Sequence, residues 1–373
     1  MVPSDKLHSK NQLFIKRRPT YLRRAPFLIS YWQGDALYFE NYLTRKKIQA
    51  SARVTLLLHF FHTWQPESKL LREWSEFTPD SLRNAVKSLV AGSFLQRASS
   101  RRPKPAPSEK ALQNWNNWDP AASFFHFSTK DSYQGKITRE EIRGFELQAG
   151  AQGIPQPIKK YPGRPVIDLP ASSCEGAFPR VLRERRTWRK FGRKPITLTN
   201  LSELLYLAFG VQTWVHIPKI GRFAQKTSPS GGALYPLEAY VFSQNVSGLS
   251  NGIYHYAADR HKLVRLRHRL QKSEVQKYLA DQWWFRDAAF VVFLTAIFQR
   301  TSWKYDYPRA YRAVLAEAGH TCQTFCLTAT WQGLAPFCTM ALADTLIEKT
   351  LGVDGIGESV LYAMGAGTKP EGK

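Results

Sequence analysis

Hydrophobic spacing changes several times along the chain, and each change marks an element. Two aromatic-rich runs, Phe27–Trp32 and Ala36–Leu43, flank Gln33-Gly34-Asp35 and predict a β-hairpin. The spacing then becomes helical over Val54–Thr63, which Trp64-Gln65-Pro66 ends, and again over Ser68–Glu76. A third helix is expected over Pro79–Ala91. Thr78 can cap it, Pro79 suits its first turn, Gly92 follows it, and Leu82, Val86, Leu89 and Val90 share one face. Phe94–Ala98 reads as a strand. Further on, the pattern predicts a helix over Asn200–Phe209, a strand over Ala239–Ser243, and a hairpin-like pair from GIYHY and KLVRL. It then predicts a buried strand over Ala289–Ala296, a long helix from about Arg309 to Gln332, and a last strand over Ser359–Met364.

These elements divide the chain into a basic N-terminal tail (1–25), a small domain (26–98), a linker and helical connecting segment (99–177), and a larger α+β domain (178–373). Residues 99–110, SSRRPKPAPSEK, have no period and are rich in Pro and charge, as linkers are. Hairpin, three helices and a returning strand resemble a winged-helix module, a type that binds DNA or takes up a peptide as an added strand. Arg83, Asn84 and Lys87 on the third helix keep DNA in view, although an ordinary solvated face accounts for them equally well.

Composition narrows the class. A net charge of +24 attracts anions in general, whether nucleic acid, anionic lipid, acidic peptide or phosphate cofactor. Residues 1–110 carry 20 Lys/Arg against 8 Asp/Glu, half of the excess, and no long single-sign tail marks a nucleic-acid arm. The longest apolar run, Ala288–Phe298, is too short to span a bilayer, and the N-terminus has no signal-peptide core. The expectation is a cytoplasmic protein with no membrane partner. Among Cys174, Cys322, Cys326 and Cys338 only Cys322 and Cys326 are closely spaced, and no second pair of ligands follows them, so neither a zinc site nor a disulfide framework is expected.

Four stretches carry candidate chemistry. Arg185, Arg186, Thr187 and Arg189 place three guanidiniums and a hydroxyl within five residues, a donor set suited to phosphate. Pro229-Ser230-Gly231-Gly232-Ala233 offers a backbone that a flat ligand can approach, because two of its residues lack a Cβ. Lys304-Tyr305, with His320 further along, supplies proton-transfer groups, and an adjacent ammonium favours a phenolate. Gly333-Leu334 follows the long helix, where glycine also serves as an ordinary C-cap. Taken singly, each has a plain reading: a solvated basic face, a turn, a surface pair, a cap.

Their order is more specific. Arg-Arg-Thr-x-Arg, then Pro-Ser-Gly-Gly-Ala-x-Tyr-Pro, then Lys-Tyr…Arg-x-Tyr-Arg…Gly-His, then Gly-Leu resembles the nitroreductase superfamily, and within it the SagB/ThcOx-type azoline dehydrogenases. The resemblance covers about residues 178–373 closely and 26–98 loosely, where such enzymes carry a peptide-recognition domain. It implies a nitroreductase-like fold, non-covalent FMN at the interface of a homodimer, a ribosomal precursor peptide as substrate, and a cyclodehydratase complex as a partner. It also implies roles. Arg185, Thr187 and Arg189, helped by Arg186, hold the phosphate and ribityl chain. Pro229, Ser230, Gly231, Gly232 and Ala233 lie along the ring, and Gly333 and Leu334 border its other side. Tyr305, assisted by Lys304, is the base that removes a proton from the azoline, and oxygen reoxidises the reduced flavin. The reading requires the arginine cluster and the double-glycine turn to cradle one FMN. The competing functions are an NAD(P)H-dependent nitro- or quinone reductase and a flavin-free DNA-binding or scaffold protein.

Overall fold

Tyr21–Arg24, a basic run within the stretch expected to be a tail, forms the central strand of a sheet, paired on both sides and with Leu22 fully buried. The computed structural model describes residues 20–132, 139–152, 157–159, 162–165, 167–170, 174–269 and 271–371. The remainder of the expected tail, residues 1–19, lies outside them. The chain divides into two compact units, Met1–Glu109 and Lys110–Lys373.

In the first unit β1 (Tyr21–Arg24) is followed by the meander β2 (Leu28–Gln33), β3 (Ala36–Asn41) and β4 (Lys46–Gln49). Then come α1 (Ala52–Phe60), β5 (Gln65–Pro66), α2 (Glu67–Glu73), α3 (Pro79–Ala91) and β6 (Leu95–Ala98). β1 pairs antiparallel with β5 on one side and β6 on the other. The Thr78 hydroxyl accepts the Ser81 amide at 3.3 Å, so α3 starts where its cap predicts. Leu22, Leu57, Phe61, Leu70, Val86 and Phe94 close the core between helices and sheet. On the outer face of α3, Arg83 pairs with Asp80 at 3.0 Å. Gln65-Pro66, expected only as a stop, is also a short edge strand, where proline's missing N–H costs nothing.

The division into units falls within α4 (Pro107–Gln113), which leads through a 3₁₀ turn at Asn116–Trp118 to α5 (Asp119–Thr129) and α6 (Arg139–Gln152). The aromatic stretch read as connecting material packs into the second unit: the rings of Trp115, Trp118 and His126 meet Phe298 and Tyr311. Next come α7 (Ala177–Glu184), β7 (Ile196–Thr197), α8 (Leu198–Phe209), and the hairpin β8 (Thr213–Ile217) and β9 (Gly221–Gln225). They are followed by β10 (Leu237–Ser243), β11 (Val246–Ser247), β12 (Gly252–Ala257), β13 (Lys262–His268) and α9 (Lys272–Tyr278). The chain ends with β14 (Phe290–Ile297), α10 (Gln299–Ser302), α11 (Ala310–Trp331), β15 (Ala335–Thr339), α12 (Asp344–Leu351) and β16 (Glu358–Gly367).

Six of these strands form one antiparallel sheet in the order β13-β12-β10-β14-β16-β15. β14 is buried from Phe290 to Ala296 and apolar there except at Thr295, because both faces of the sheet are covered. Val291 and Phe293 join the core that includes Val275 and Leu279 near α9 and Ile347 of α12. Phe290 lies 5.9 Å from the ring of Phe325 on α11. This α+β arrangement agrees with the fold class expected from the sequence. Apolar side chains remain exposed on α7 (Phe178, Leu182) and along the β8–β9 hairpin (Trp214, Val215, Ile217). No helix among the described residues is long and apolar enough to cross a membrane.

Candidate active site

The double-glycine turn is built against one face of α11. The Ser228 and Thr324 hydroxyls hydrogen-bond at 2.7 Å, and an added Cβ on Gly231 would meet Ala313 at 3.7 Å. The turn is locked from within: the Tyr235 amide donates to Ser230 Oγ at 2.9 Å, and the Lys226 amide donates to the Tyr235 hydroxyl at 3.0 Å. Gly232, Ala233 and Tyr235 all have positive φ, at 66°, 57° and 42°. Only the glycine adopts such a conformation freely, so strain is stored in this turn.

Lys304 and Tyr305 come to the same turn. A Cβ on Gly232 would lie 2.7 Å from the Tyr305 hydroxyl and 3.0 Å from Lys304 Nζ. Gly232 therefore lets the pair approach the turn; a larger residue would displace both side-chain tips and be strained at this positive φ. Lys304 Nζ sits 5.4 Å from the Tyr305 ring centroid. The loop carrying them is pinned at three points. The Tyr305 amide donates to Thr301 O at 3.0 Å, Asn117 Nδ2 to Ser302 O at 3.0 Å, and the indole of the fully buried Trp118 to Tyr305 O at 2.9 Å. Asn117 and Trp118 escaped the sequence reading; their signal was the aromatic repeat WNNW, which looks like ordinary packing.

Beneath the turn lies a buried polar group. The Glu317 carboxyl is bonded by Ser230 and faces Lys226 around a cavity of about 20 Å³. Burial pushes Glu317 up to about 7, against the opposing pull of Ser230 and Lys226, and burial lowers Lys226. Outside, a cleft of about 470 Å³ is lined by Trp214, Lys226, Ala233, Tyr235, Glu238 and Arg300, with Arg300 and His255 holding Glu238 at 2.6 and 2.7 Å. This is the size of a small-molecule pocket.

The arginine segment lies elsewhere on the unit. The Arg185 amide closes α7 on Val181 O at 3.0 Å, and the Trp188 amide donates to Pro336 O at 2.9 Å, fixing the segment along β15. Arg186 Nη1 donates to the carbonyls of Arg183 and Arg185 at 2.6 and 2.8 Å, so its guanidinium braces the turn. Among the described residues, Arg185 and Arg189 have no acidic partner. Lys369 adds a third cation, its Nζ 5.8 Å from the Trp188 ring, and sequence reasoning missed it because it is 180 residues beyond Arg189. Gly333, at φ 74°, ends α11, and the Leu334 amide donates back to Ala329 O at 2.9 Å.

The candidate residues thus fall into two groups. Gly231, Gly232, Lys304 and Tyr305 meet beside Ala313, with Ser228 of the same turn bonding Thr324; the Arg185 segment lies along β15, with Arg185 near Cys326 and Cys338. From Ala313 to Gly333 is twenty residues, about 30 Å along the axis. Within one chain Gly333 stands that far along the helix from the residue that Gly231 faces.

A further cluster joins α11 to β15. Cys322 and Cys326 turn toward Cys338, and their sulfur atoms all lie within 4.8 Å of one another. Hydrogen bonds from the other two thiols and from Tyr362, together with nearby Arg185, hold Cys338 well below the usual thiol range. Inspection of spacing alone ended at the helical pair and could not reveal the third cysteine.

The nitroreductase family pattern matches residues 182–368. The protein named "Putative nitroreductase MJ1384" of Methanocaldococcus jannaschii is 35% identical over 191 residues, covering 51% of this chain and 90% of that protein. The trifolitoxin-processing protein TfxB of Rhizobium leguminosarum bv. trifolii is 24% identical over 358 residues, covering 90% of this chain and 94% of its own. A chain in the solved E. coli microcin synthetase McbBCD complex, with truncated pro-MccB17 bound, superposes with a TM-score of 0.50 at 20% identity, over 73% of this chain and all of that one. With matching sequence and shared architecture, the chain belongs to the nitroreductase family.

Proposed function

We propose that the chain is a cytoplasmic, FMN-dependent dehydrogenase of the SagB type, which oxidises azoline rings to azoles in a ribosomal precursor peptide. The observation that carries this reading is the meeting of Lys304 and Tyr305 with the Gly231–Gly232 turn. The similarity to a trifolitoxin-processing protein runs through both units and supports a modified peptide as substrate, with the first unit taking the peptide and a cyclodehydratase complex supplying it.

The donor set fits FMN. Arg185, Arg189 and Lys369 provide cations beside the Thr187 hydroxyl and would hold the phosphate. Pro229, Ser230, Gly231, Gly232 and Ala233 would lie along the ring. The resemblance to interface-flavin homodimers favours a dimer in which each cradle takes the arginine segment and Gly333-Leu334 from one chain and the turn from the other. The exposed apolar side chains of α7 and the β8–β9 hairpin provide surface for that interface.

When bound, FMN supplies the two-electron acceptor. The protein orients the azoline beside the turn, and Tyr305 takes the proton from the ring's α-carbon. Lys304 stands beside Tyr305 at the same turn, and Trp118 and Asn117 hold the loop in place. The likeness to MJ1384 over about half of the chain favours an NAD(P)H-dependent nitro- or quinone reductase as the second reading.

Mass spectrometry of an azoline-bearing peptide tests the first reading. The wild type should remove two hydrogens per ring, whereas Tyr305→Phe should keep its flavin absorbance and lose about a hundredfold or more in rate. Full activity of Tyr305→Phe, or a wild type that stays colourless with excess FMN, overturns it. Flavin bleaching by NAD(P)H without peptide oxidation favours the second reading.

A further inference from the structure

Three of the four cysteines in the chain meet at one place, and the fourth, Cys174, is exposed. Cys322 and Cys326 stand one turn apart on α11 and so project from one face. β15 approaches that face and brings in Cys338. We propose that these three thiolates form a zinc site that clamps the second half of α11 to β15.

The geometry is close to what the ion requires. Zinc–thiolate bonds of about 2.3 Å place sulfur atoms roughly 3.8 Å apart in a tetrahedron. The three sulfurs already lie within 4.8 Å of one another, so rotamer adjustments of about an ångström would close the set. The donors are all sulfur, which selects soft or borderline ions over magnesium or calcium. Three thiolates and Zn²⁺ carry a net single negative charge, and Arg185 lies close enough to stabilise negative charge on Cys326 and Cys338. The Tyr362 hydroxyl bonds Cys338 and Cys322 and stands where an outer partner would orient the ligands. Ordinary buried cysteines act as small apolar residues, with no reason to converge from two elements. None of its three ligands has a part in the azoline reading, so the site stands whether or not that reading does, although Arg185 is shared with the proposed phosphate cradle.

The test is metal content and affinity in the full chain. Wild-type protein, reduced and stripped with a chelator, is titrated with zinc against a chromogenic chelator, and cobalt substitution is followed by its thiolate charge-transfer absorption. One zinc per chain is expected, with intense cobalt–thiolate bands. Cys338→Ser should weaken zinc binding at least a hundredfold, whereas Cys174→Ser should leave it unchanged. Zinc should also raise the melting temperature of the wild type and not of Cys338→Ser. Zinc binding by reduced wild type no tighter than by Cys338→Ser overturns the proposal, as does a site that takes one monovalent copper and no zinc. If Cys338→Ser fails to fold, Cys322→Ala and Cys326→Ala give the same comparison, and the cobalt spectrum of the wild type decides alone: absence of thiolate bands overturns the proposal.

Discussion

Glu317 shows what one buried carboxyl contributes to this fold. It is 5% exposed, and its pKa is raised from 4.5 to about 7. A carboxyl raised in the folded state binds its proton more tightly there than in the unfolded chain. Its stabilising effect is therefore full below about pH 4.5 and is lost as pH rises to about 7. Over that window the wild type should lose about 3 kcal/mol relative to Glu317→Gln, which keeps the Ser230 bond and does not titrate. Urea midpoints of both proteins between pH 4.5 and 8 check this; parallel pH profiles refute it. The sequence does not reveal this role, because Ser230, Lys226 and Glu317 are brought together only by the packing of the turn on α11. Gly232 and the Lys304-Tyr305 pair were legible as residues, since glycine in a Ser/Pro turn and a Lys-Tyr step are local features. Their mutual contact was not.

At the scale of elements, the 3₁₀ turn Asn116–Trp118 acts on the reactive loop from a distance in sequence. The Trp118 indole holds the Tyr305 carbonyl, while Trp115, just before it, donates to Ile356 O at 2.9 Å and bonds nothing in that loop. Trp118→Phe and Trp115→Phe each remove one indole bond from a buried ring, at about 1 kcal/mol for the bond. Only the first releases Tyr305. Trp118→Phe should lower kcat on an azoline peptide by tenfold or more with FMN content unchanged, and Trp115→Phe should lower it much less. Equal effects on kcat would show that both act through stability alone. Elements with local signals were readable from the chain: α3 has its Thr78 cap, Pro79 and Gly92, and β14 a run that is apolar but for Thr295. β1 and β4 were not. Leu22 is the only buried residue of β1, and Lys46–Gln49 has no buried position at all, so neither strand presents an apolar alternation. Their pairing partners, rather than their own residues, make them strands.

For the whole molecule, the proposed dimer assigns the two halves of each cradle to different chains. Motif order lists the halves in sequence but cannot say which chain supplies each, and strand order was likewise unreadable because it depends on pairings distant in sequence. On the proposed dimer, the Arg185 half of each chain completes the Gly232 half of its partner. Arg185→Ala removes a phosphate cation and Gly232→Val fills the approach to Tyr305, where even a Cβ would lie 2.7 Å from the hydroxyl. Each variant alone should be inactive, since both of its cradles carry a defect. In a mixed dimer one cradle collects both defects and the other collects none. Equal mixing with free subunit exchange makes half of the dimers mixed, and half of their sites intact, so activity should return to about a quarter of wild type. A cradle contained in a single chain predicts no recovery at any mixing ratio, because every chain in the mixture then carries its own defect. Activity measured against mixing ratio, with exchange confirmed by mass spectrometry of the intact dimers, separates the two arrangements.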